Sequence, residues 1–326
     1  MLQIRSTTDE EDIMKAVRFH ETGGPEVLRY EDVATPTPGP GAVRIRVSGS
    51  AFNPADGGLR GGFLPIPITL PHTPGYDVSG TVDEVGEGVA SLSLGDSVVG
   101  FIPMDADGAD AEYVVAPADS LVTAPTTISL ADAAGLPSVA LTAYQALFEA
   151  AELKAGQRVL INGAGGSVGG YAVQLAKRAG AHVIATVSPR SAEAVKRAGA
   201  DEIVDYTTSS ILDVVTEPVD VLLNVGPIAE EDFTALVPLV RDGGVVVSTT
   251  PMVPTPGDDE RGVRPVTIFL HPDAAVLTEL VALVDTGDLK VEIAQRVSLP
   301  ELIKVHEEAE AGRLRGKVVV VPFGEG

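Results

Sequence analysis

The sequence predicts an α/β chain in two parts, a doubly wound parallel sheet and a mostly β domain. Three observations predict it. An apolar run, Val159 to Ile161, leads into a glycine-rich turn and then a helical apolar pattern from Val168. From Val159 onward, candidate strands and helices alternate, the signature of βαβ units around a parallel sheet. Before that, residues from about Lys15 to Pro125 are rich in Gly and Pro and carry short alternating apolar runs, the pattern of strands between turns.

The elements follow in order. Val43–Val47, Val78–Val82 and Ser97–Phe101 are strands of the first domain, and Leu130 to Ala151 carries a helical pattern. Strands are then predicted over 159–162, 182–187, 202–205, 219–224 and 244–249. Helices are predicted near 168–179, 190–198, 208–216 and 230–240. Val266 to Leu270 is a sixth strand and Asp273 to Asp285 a further helix. The tail from Val291 to Pro322 returns to strand, helix and strand, its last strand completing the first domain. The expected organisation is a loosely ordered extension over 1–13, a mostly β domain over 14–125 and 290–326, and a nucleotide domain over 126–289. A cleft between the two domains is the expected place for ligands.

The turn itself reads Asn162-Gly-Ala-Gly-Gly-Ser-Val-Gly169. Set between a buried strand and a helix, such a turn binds a dinucleotide. Gly163, Ala164, Gly165, Gly166, Ser167, Val168 and Gly169 are therefore cofactor-binding candidates. The glycines let a pyrophosphate approach the backbone, and the helix N-terminus offers unpaired N–H groups. An NAD site places an acid about 20 residues past the glycines, on the ribose 2′-hydroxyl. Here Thr186, Val187, Ser188, Pro189 and Arg190 stand there, with no acid. A hydroxyl and a guanidinium suit a 2′-phosphate, so NADPH is the expected cofactor, with Thr186, Ser188 and Arg190 beside it. Ser188 is also placed to cap a helix starting near Pro189.

Composition excludes several classes. A net charge of −23 lacks the basic footprint of a nucleic-acid binder and is wrong for an anionic membrane surface. No run of 18 or more apolar residues offers a transmembrane helix. Met1 to Asp12 lacks the pattern of a signal peptide, and a cytoplasmic location is expected. Cys is absent, so a thiolate zinc site, a disulfide and a cysteine nucleophile are all excluded. The five histidines, His20, His72, His182, His271 and His306, have no ligand spacing, and no metal is expected.

With these motifs in hand, the chain resembles the zinc-free medium-chain dehydrogenases/reductases of the quinone oxidoreductase (ζ-crystallin-like) group. The marks run from Met14 to about Pro322: Gly23-Gly-Pro-Glu-Val-Leu28, Asn53-Pro-Ala-Asp56, Pro74-Gly-Tyr-Asp77, Val82-Asp-Glu-Val-Gly-Glu-Gly-Val89, Leu141-Thr-Ala-Tyr144, the glycine turn, Ala198-Gly-Ala-Asp201 and Gly312-Arg-Leu-Arg-Gly-Lys317. The resemblance implies a GroES-like catalytic domain beside the Rossmann domain. It implies NADPH-dependent reduction of a quinone or enone by a dimer or tetramer, and a homodimer is expected. It also implies Thr142 near the nicotinamide ribose, Tyr206 stacked near the adenosine, and Arg313 reaching toward the 2′-phosphate.

Without a metal to polarise a carbonyl, the easiest acceptor is one whose own electronics take hydride at carbon and leave an oxyanion that needs donors. Asn53 is the proposed donor, or else it shapes the turn before Pro54. Asp56 orients Asn53 or caps the following segment, and Tyr76 is either a proton donor or core. His72 reads as a loop histidine bonded to backbone, with proton transfer the alternative. Asn224, Val225, Thr249, Phe269 and Leu270 lie at strand ends and should line the nicotinamide side. Family members often carry tyrosines just after the Asn-Pro-x-Asp segment. Here Gly57-Gly-Leu-Arg-Gly-Gly-Phe-Leu64 has none, and its four glycines suggest a roomy or mobile loop. That keeps open a biosynthetic enoyl reductase and a non-catalytic NADPH-binding protein. Val253 to Val263 reads as a lid or a mobile excursion.

Overall fold

A computed structural model describes residues 12–324. The expected extension over 1–13 lies, apart from its last two residues, outside the described residues. Ile13 already pairs with Ala34. The chain divides into two compact units. One comprises 12–134, Gln295–Leu314 and 318–324, the other Gly135–Ala294 and Arg315–Lys317.

The first unit is built on β1 (Ile13–Phe19), β2 (Leu28–Ala34), β3 (Ala42–Ala51), α1 (Pro54–Arg60), β4 (Asp77–Val85), β5 (Ser97–Phe101), β6 (Tyr113–Pro117), β7 (Leu121–Thr123) and α2 (Leu130–Ala133). Strand β3 shows why these residues form a sheet. Val43, Ile45 and Val47 are buried, while Arg44 and Arg46 alternate with them on the other face. A seven-stranded sheet carries β3 between β4 and a strand of the returning tail, Lys317–Val320, with β6 also on β3. Its inward faces join Val78, Val82, Val98 and Val114 in one core. Because α2 packs on β3 and β4, this unit extends to Ala134, past the expected boundary at 125.

The second unit holds α3 (Pro137–Tyr144), β8 (Arg158–Asn162), α4 (Ser167–Arg178), β9 (His182–Val187), α5 (Ala192–Arg197), β10 (Glu202–Asp205), α6 (Ile211–Val214), β11 (Val219–Asn224), α7 (Glu230–Ala235), β12 (Val240–Ser248), β13 (Arg264–Thr267) and α8 (Ala274–Thr286). The returning tail gives β14 (Ile293–Val297), α9 (Leu302–Glu310) and β15 (Lys317–Val320). Six parallel strands run in the order β10-β9-β8-β11-β12-β13. This is a doubly wound sheet whose order reverses between β8 and β11. Val159, Leu160 and Ile161 are fully buried, as a central strand covered on both faces requires.

Several predicted elements differ. The helix expected over 208–216 is only α6, because Asp205 gathers the preceding residues into a turn through Thr207, Thr208 and Ser209. The helix over 230–240 stops at Ala235 and continues as a 3-10 turn, Val237–Leu239, since Pro238 has no N–H for a helical bond. The sixth strand is Arg264–Thr267 because its partner β12 ends at Ser248, opposite Thr267. Helix α5 starts at Ala192, after a turn in which Ser188 O accepts the N–H groups of Ser191 and Ala192. Ser188 is therefore not its cap. The 253–263 segment is tied to the rest of its unit. Asp258 and Val263 exchange backbone bonds, and Val263 is buried in the core. Arg261 binds Asp242 and the carbonyls of Val237 and Val240.

Candidate active site

In the second unit, β8 ends at Asn162 and the chain turns on Gly163, whose φ of +90° belongs to the left-handed region that glycine enters without cost. Gly166 N–H closes the turn on Gly163 O at 3.0 Å. Gly166 is the N-cap of α4 and has no side chain to cap it, and among the described residues no side chain caps this helix. Helix α4 also sits hard on the turn: a Cβ on Gly169 would lie 2.4 Å from Gly163 O. A groove of about 630 Å³ runs along α4, floored by Gly165, Gly166, Ser167, Gly170 and Gln174. Its walls carry Lys177, Arg178, Arg197, Lys290 and Lys317 against two acids, Asp288 and Glu292, in a chain of charge −23. An uncapped helix start and an exposed glycine backbone fit a pyrophosphate. Gly169 and Ala164 are buried; Gly169 serves the close packing of helix on turn and does not line the groove.

Thr186 is not free to meet a ligand. It is buried, its Oγ1 donates to Asn162 Oδ1 at 2.9 Å, and it accepts Gly163 N–H at 3.0 Å. This begins a polar ladder across the carboxyl ends of four strands. Asn162 Nδ2 donates to Asn224 Oδ1 at 2.8 Å, and Asn224 Nδ2 to Thr250 Oγ1 at 3.0 Å. Ser248 Oγ lies 3.0 Å from the same Thr250 hydroxyl. Asn224 is thus a buried brace and not a cofactor contact. The N–H groups of Val225 and Thr249 are also used, on Asn162 O and Asn224 O, which leaves these two residues half-exposed side chains and carbonyls. Asn162 was missed. A polar residue closing an apolar central strand was its only signal.

Past β9, Ser188 is half-buried and Arg190 exposed, and Arg190 makes no ion pair among the described residues. Ser191, also missed, packs against the turn: a Cβ on Gly165 would lie 2.4 Å from its Oγ. Tyr206 is 57% exposed. Arg313 is exposed, and its Nε and Nη2 bind the Glu308 carboxylate at 2.9 and 3.0 Å, a local ion pair at the residue for which the resemblance implies a 2′-phosphate contact.

Thr142 donates its hydroxyl to Ser138 O at 2.7 Å. Phe269 is exposed and Leu270 half-buried, just after β13.

In the first unit, Asn53 is the N-cap of α1, and Asp56 accepts its N–H at 2.6 Å, half of a capping box. The Asn53 amide donates to Asp77 Oδ2 at 2.9 Å and to Ala51 O at 3.2 Å. Both amide hydrogens are committed, so Asn53 is not the substrate-oxygen donor. Asp56 is fully buried and also accepts Gly75 N–H. Burial, then the nearby Asp110 carboxylate, pushes its carboxyl up to about 8. Asp110, buried and bonded to Ser50 Oγ, is raised by burial to about 7. Asp56 thus fastens the α1 turn to the Gly75 loop, while the Asp110 side chain is held by Ser50 on β3. Tyr76 is buried with its hydroxyl 2.8 Å from His72 Nε2. Burial raises the phenol and lowers the imidazole, so the pair stays neutral and Tyr76 is core. Tyr76→Phe is expected to cost about 1 kcal/mol in urea unfolding and to leave kcat unchanged. A large loss of kcat at unchanged stability would restore Tyr76 to the chemistry. Gly57 and Gly58 belong to α1, whose Arg60 is buried against Glu310 and Gly23 O. Of the expected roomy loop over 57–64, only 61–64 lies outside the helix, and it carries the exposed Phe63. Among the described residues, no group of three or more His, Asp or Glu is arranged to hold a metal ion.

Comparison with known proteins adds the following. Residues 39–126 match the family model for an alcohol dehydrogenase GroES-like domain, and 198–320 that for a zinc-binding dehydrogenase. The chain is 32% identical to a chloroplast envelope quinone oxidoreductase homolog of Arabidopsis thaliana, over 95% of this chain and 99% of that one. It is 33% identical to a 2-methylene-furan-3-one reductase of Solanum lycopersicum, over 95% and 79%. The solved quinone oxidoreductase from Coxiella burnetii superposes with a TM-score of 0.87 at 31% identity, covering 95% of this chain and 99% of that one.

Proposed function

Since the chain belongs to the quinone oxidoreductase-type medium-chain dehydrogenases/reductases, oxidoreductases that take a nicotinamide cofactor, we propose that it transfers hydride from NADPH to a quinone or to the activated C=C of an enone. The observation that carries the NADPH reading is the end of β9, where no acid follows Val187 and Arg190 is exposed with no ion-pair partner among the described residues. In a chain of charge −23, an uncommitted guanidinium one residue before Ser191, which packs against the glycine turn, supports a 2′-phosphate site.

Gly165, Gly166 and Ser167 would hold the pyrophosphate, and Ser188 and Arg190 the 2′-phosphate. Val225, Thr249, Phe269 and Leu270 would line the nicotinamide side. The cofactor supplies a hydride, and a proton completes the reduction. The names of the relatives support the acceptor class: a quinone and a methylene-furanone each take hydride at a carbon conjugated to a carbonyl.

The test is cofactor oxidation, read by nicotinamide absorbance, against simple quinones, small enones and bulky enones, with NADPH and NADH in parallel. Turnover with NADPH is expected. Activity on bulky enones alone would move the reading to a biosynthetic enoyl reductase. Arg190→Ala should weaken NADPH by about 1.5–3 kcal/mol, the size of a charged hydrogen bond, and leave NADH nearly untouched. Equal losses for both cofactors would remove Arg190 from the phosphate site.

A further inference from the structure

Helix α3 does not simply end at Tyr144. It widens into a π-helical turn, Gln145–Ala150, in which Ala151 N–H reaches back five residues to Ala146 O at 3.1 Å. Such turns are uncommon and concentrate at functional sites. The widened turn aims two side chains, four residues apart, at one target. Gln145 is buried, and its amide grips the backbone of His271 from both sides. Nε2 donates to His271 O at 2.8 Å, and Oε1 accepts His271 N–H at 3.3 Å. Glu149 Oε2 lies 3.2 Å from the ring Nε2 of the same histidine.

His271 closes the short loop after β13. Its other end is tied as well, since Ile268 N–H donates to Ser248 O at 2.9 Å. Between these anchors lie Phe269, 71% exposed, and Leu270. The loop stands at the carboxyl end of a parallel sheet, the edge at which ligands of such sheets bind. An apolar side chain held open to solvent by bonds on either side is set for a ligand and not for the core.

We propose that Gln145 is a positioning residue for the nicotinamide end of the cofactor, holding the loop 268–271 in the shape that receives the ring. The inference rests on the reading of this chain as a nicotinamide-dependent reductase. It assigns Gln145 no contact with the reacting atoms. Removing its amide frees His271 and leaves the glycine turn and the β9 end as they are.

The test is calorimetric titration of the full chain with two ligands, NADPH and adenosine 2′,5′-bisphosphate, which has the adenine and the 2′-phosphate but no nicotinamide. Gln145→Ala should weaken NADPH about tenfold and change the bisphosphate less than about twofold. Glu149→Ala, at the surface, should show the same split at about two- to threefold, and it keeps the test sharp if Gln145→Ala does not fold. Equal losses for both ligands, or none for either, overturn the role of Gln145 alone. Failure of the wild-type chain to bind either ligand overturns the cofactor reading and this inference with it.

Discussion

Gly169→Ala is expected to cut NADPH affinity by about a hundredfold, a loss of about 3 kcal/mol, while changing global stability much less. The added Cβ would lie 2.4 Å from Gly163 O, 2.6 Å from Ala164 Cα and 2.8 Å from Ala164 C. All three are backbone atoms of the turn, so no side chain can rotate away. Two effects compete in stability. Alanine inside a helix gains about 1 kcal/mol over glycine, and overpacking costs about 1–3 kcal/mol. The remainder is small. Binding has no such offset, because relief of the clash lifts α4 off the turn and re-aims the N–H groups of its first turn. Gly170→Ala is the contrast. A Cβ there meets nothing within 4 Å, so it should stabilise by about 0.5–1 kcal/mol. Urea unfolding and NADPH titration of both variants decide the matter. Unchanged affinity in Gly169→Ala would show that α4 does not hold the phosphates.

The second expected result is a fall in stability between about pH 6.5 and 8. Asp56 and Asp110 are buried near each other, with Asp77 adding like charge to Asp56. Their carboxyls are raised from 3.8 to about 8 and about 7, so the folded chain holds protons that the unfolded chain has released. Such groups contribute stability that is fully present below the unfolded value and is lost as pH rises through the folded one. His306 works in the other direction. It is buried, neither ring nitrogen has a hydrogen-bond partner among the described residues, and burial lowers it from 6.5 to about 3. Its contribution is complete above 6.5 and is lost as pH falls toward 3. The two trends oppose each other in acid, and above 6.5 only the carboxyl trend remains. The urea midpoint should therefore fall from pH 6.5 to 8, with a loss of about 2 kcal/mol in unfolding free energy, and Asp56→Asn should flatten the fall. A midpoint that stays level or rises over that interval would mean the carboxyls are ionised in the folded chain.

Much of the architecture was legible in the sequence. Strands β9, β10 and β11 fall on the predicted residues because each is a short run whose neighbours break the pattern. Elements whose ends depend on other elements were less legible. Strand β13 ends where its partner β12 ends, α5 waits for the turn at Ser188, and the first unit extends through α2. The glycine turn was readable because its chemistry is local. Asn162, Ser191 and Gln145 were not, because each is defined by a partner elsewhere. Gln145 and His271 are 126 residues apart.

By itself the sequence determined the fold class, the place of the dinucleotide turn and the missing acid after β9, because periodicity, turn chemistry and charge are properties of neighbouring residues. Only the tertiary structure decided which polar groups are already committed. Thr186 is taken by Asn162 and Gly163, Asn53 by Asp77 and Ala51, Tyr76 by His72, and Arg313 by Glu308. A side chain's chemistry is written in its residue type. Whether that chemistry is available to a ligand depends on burial and on hydrogen-bond partners, many of them distant in sequence and brought close only by the fold.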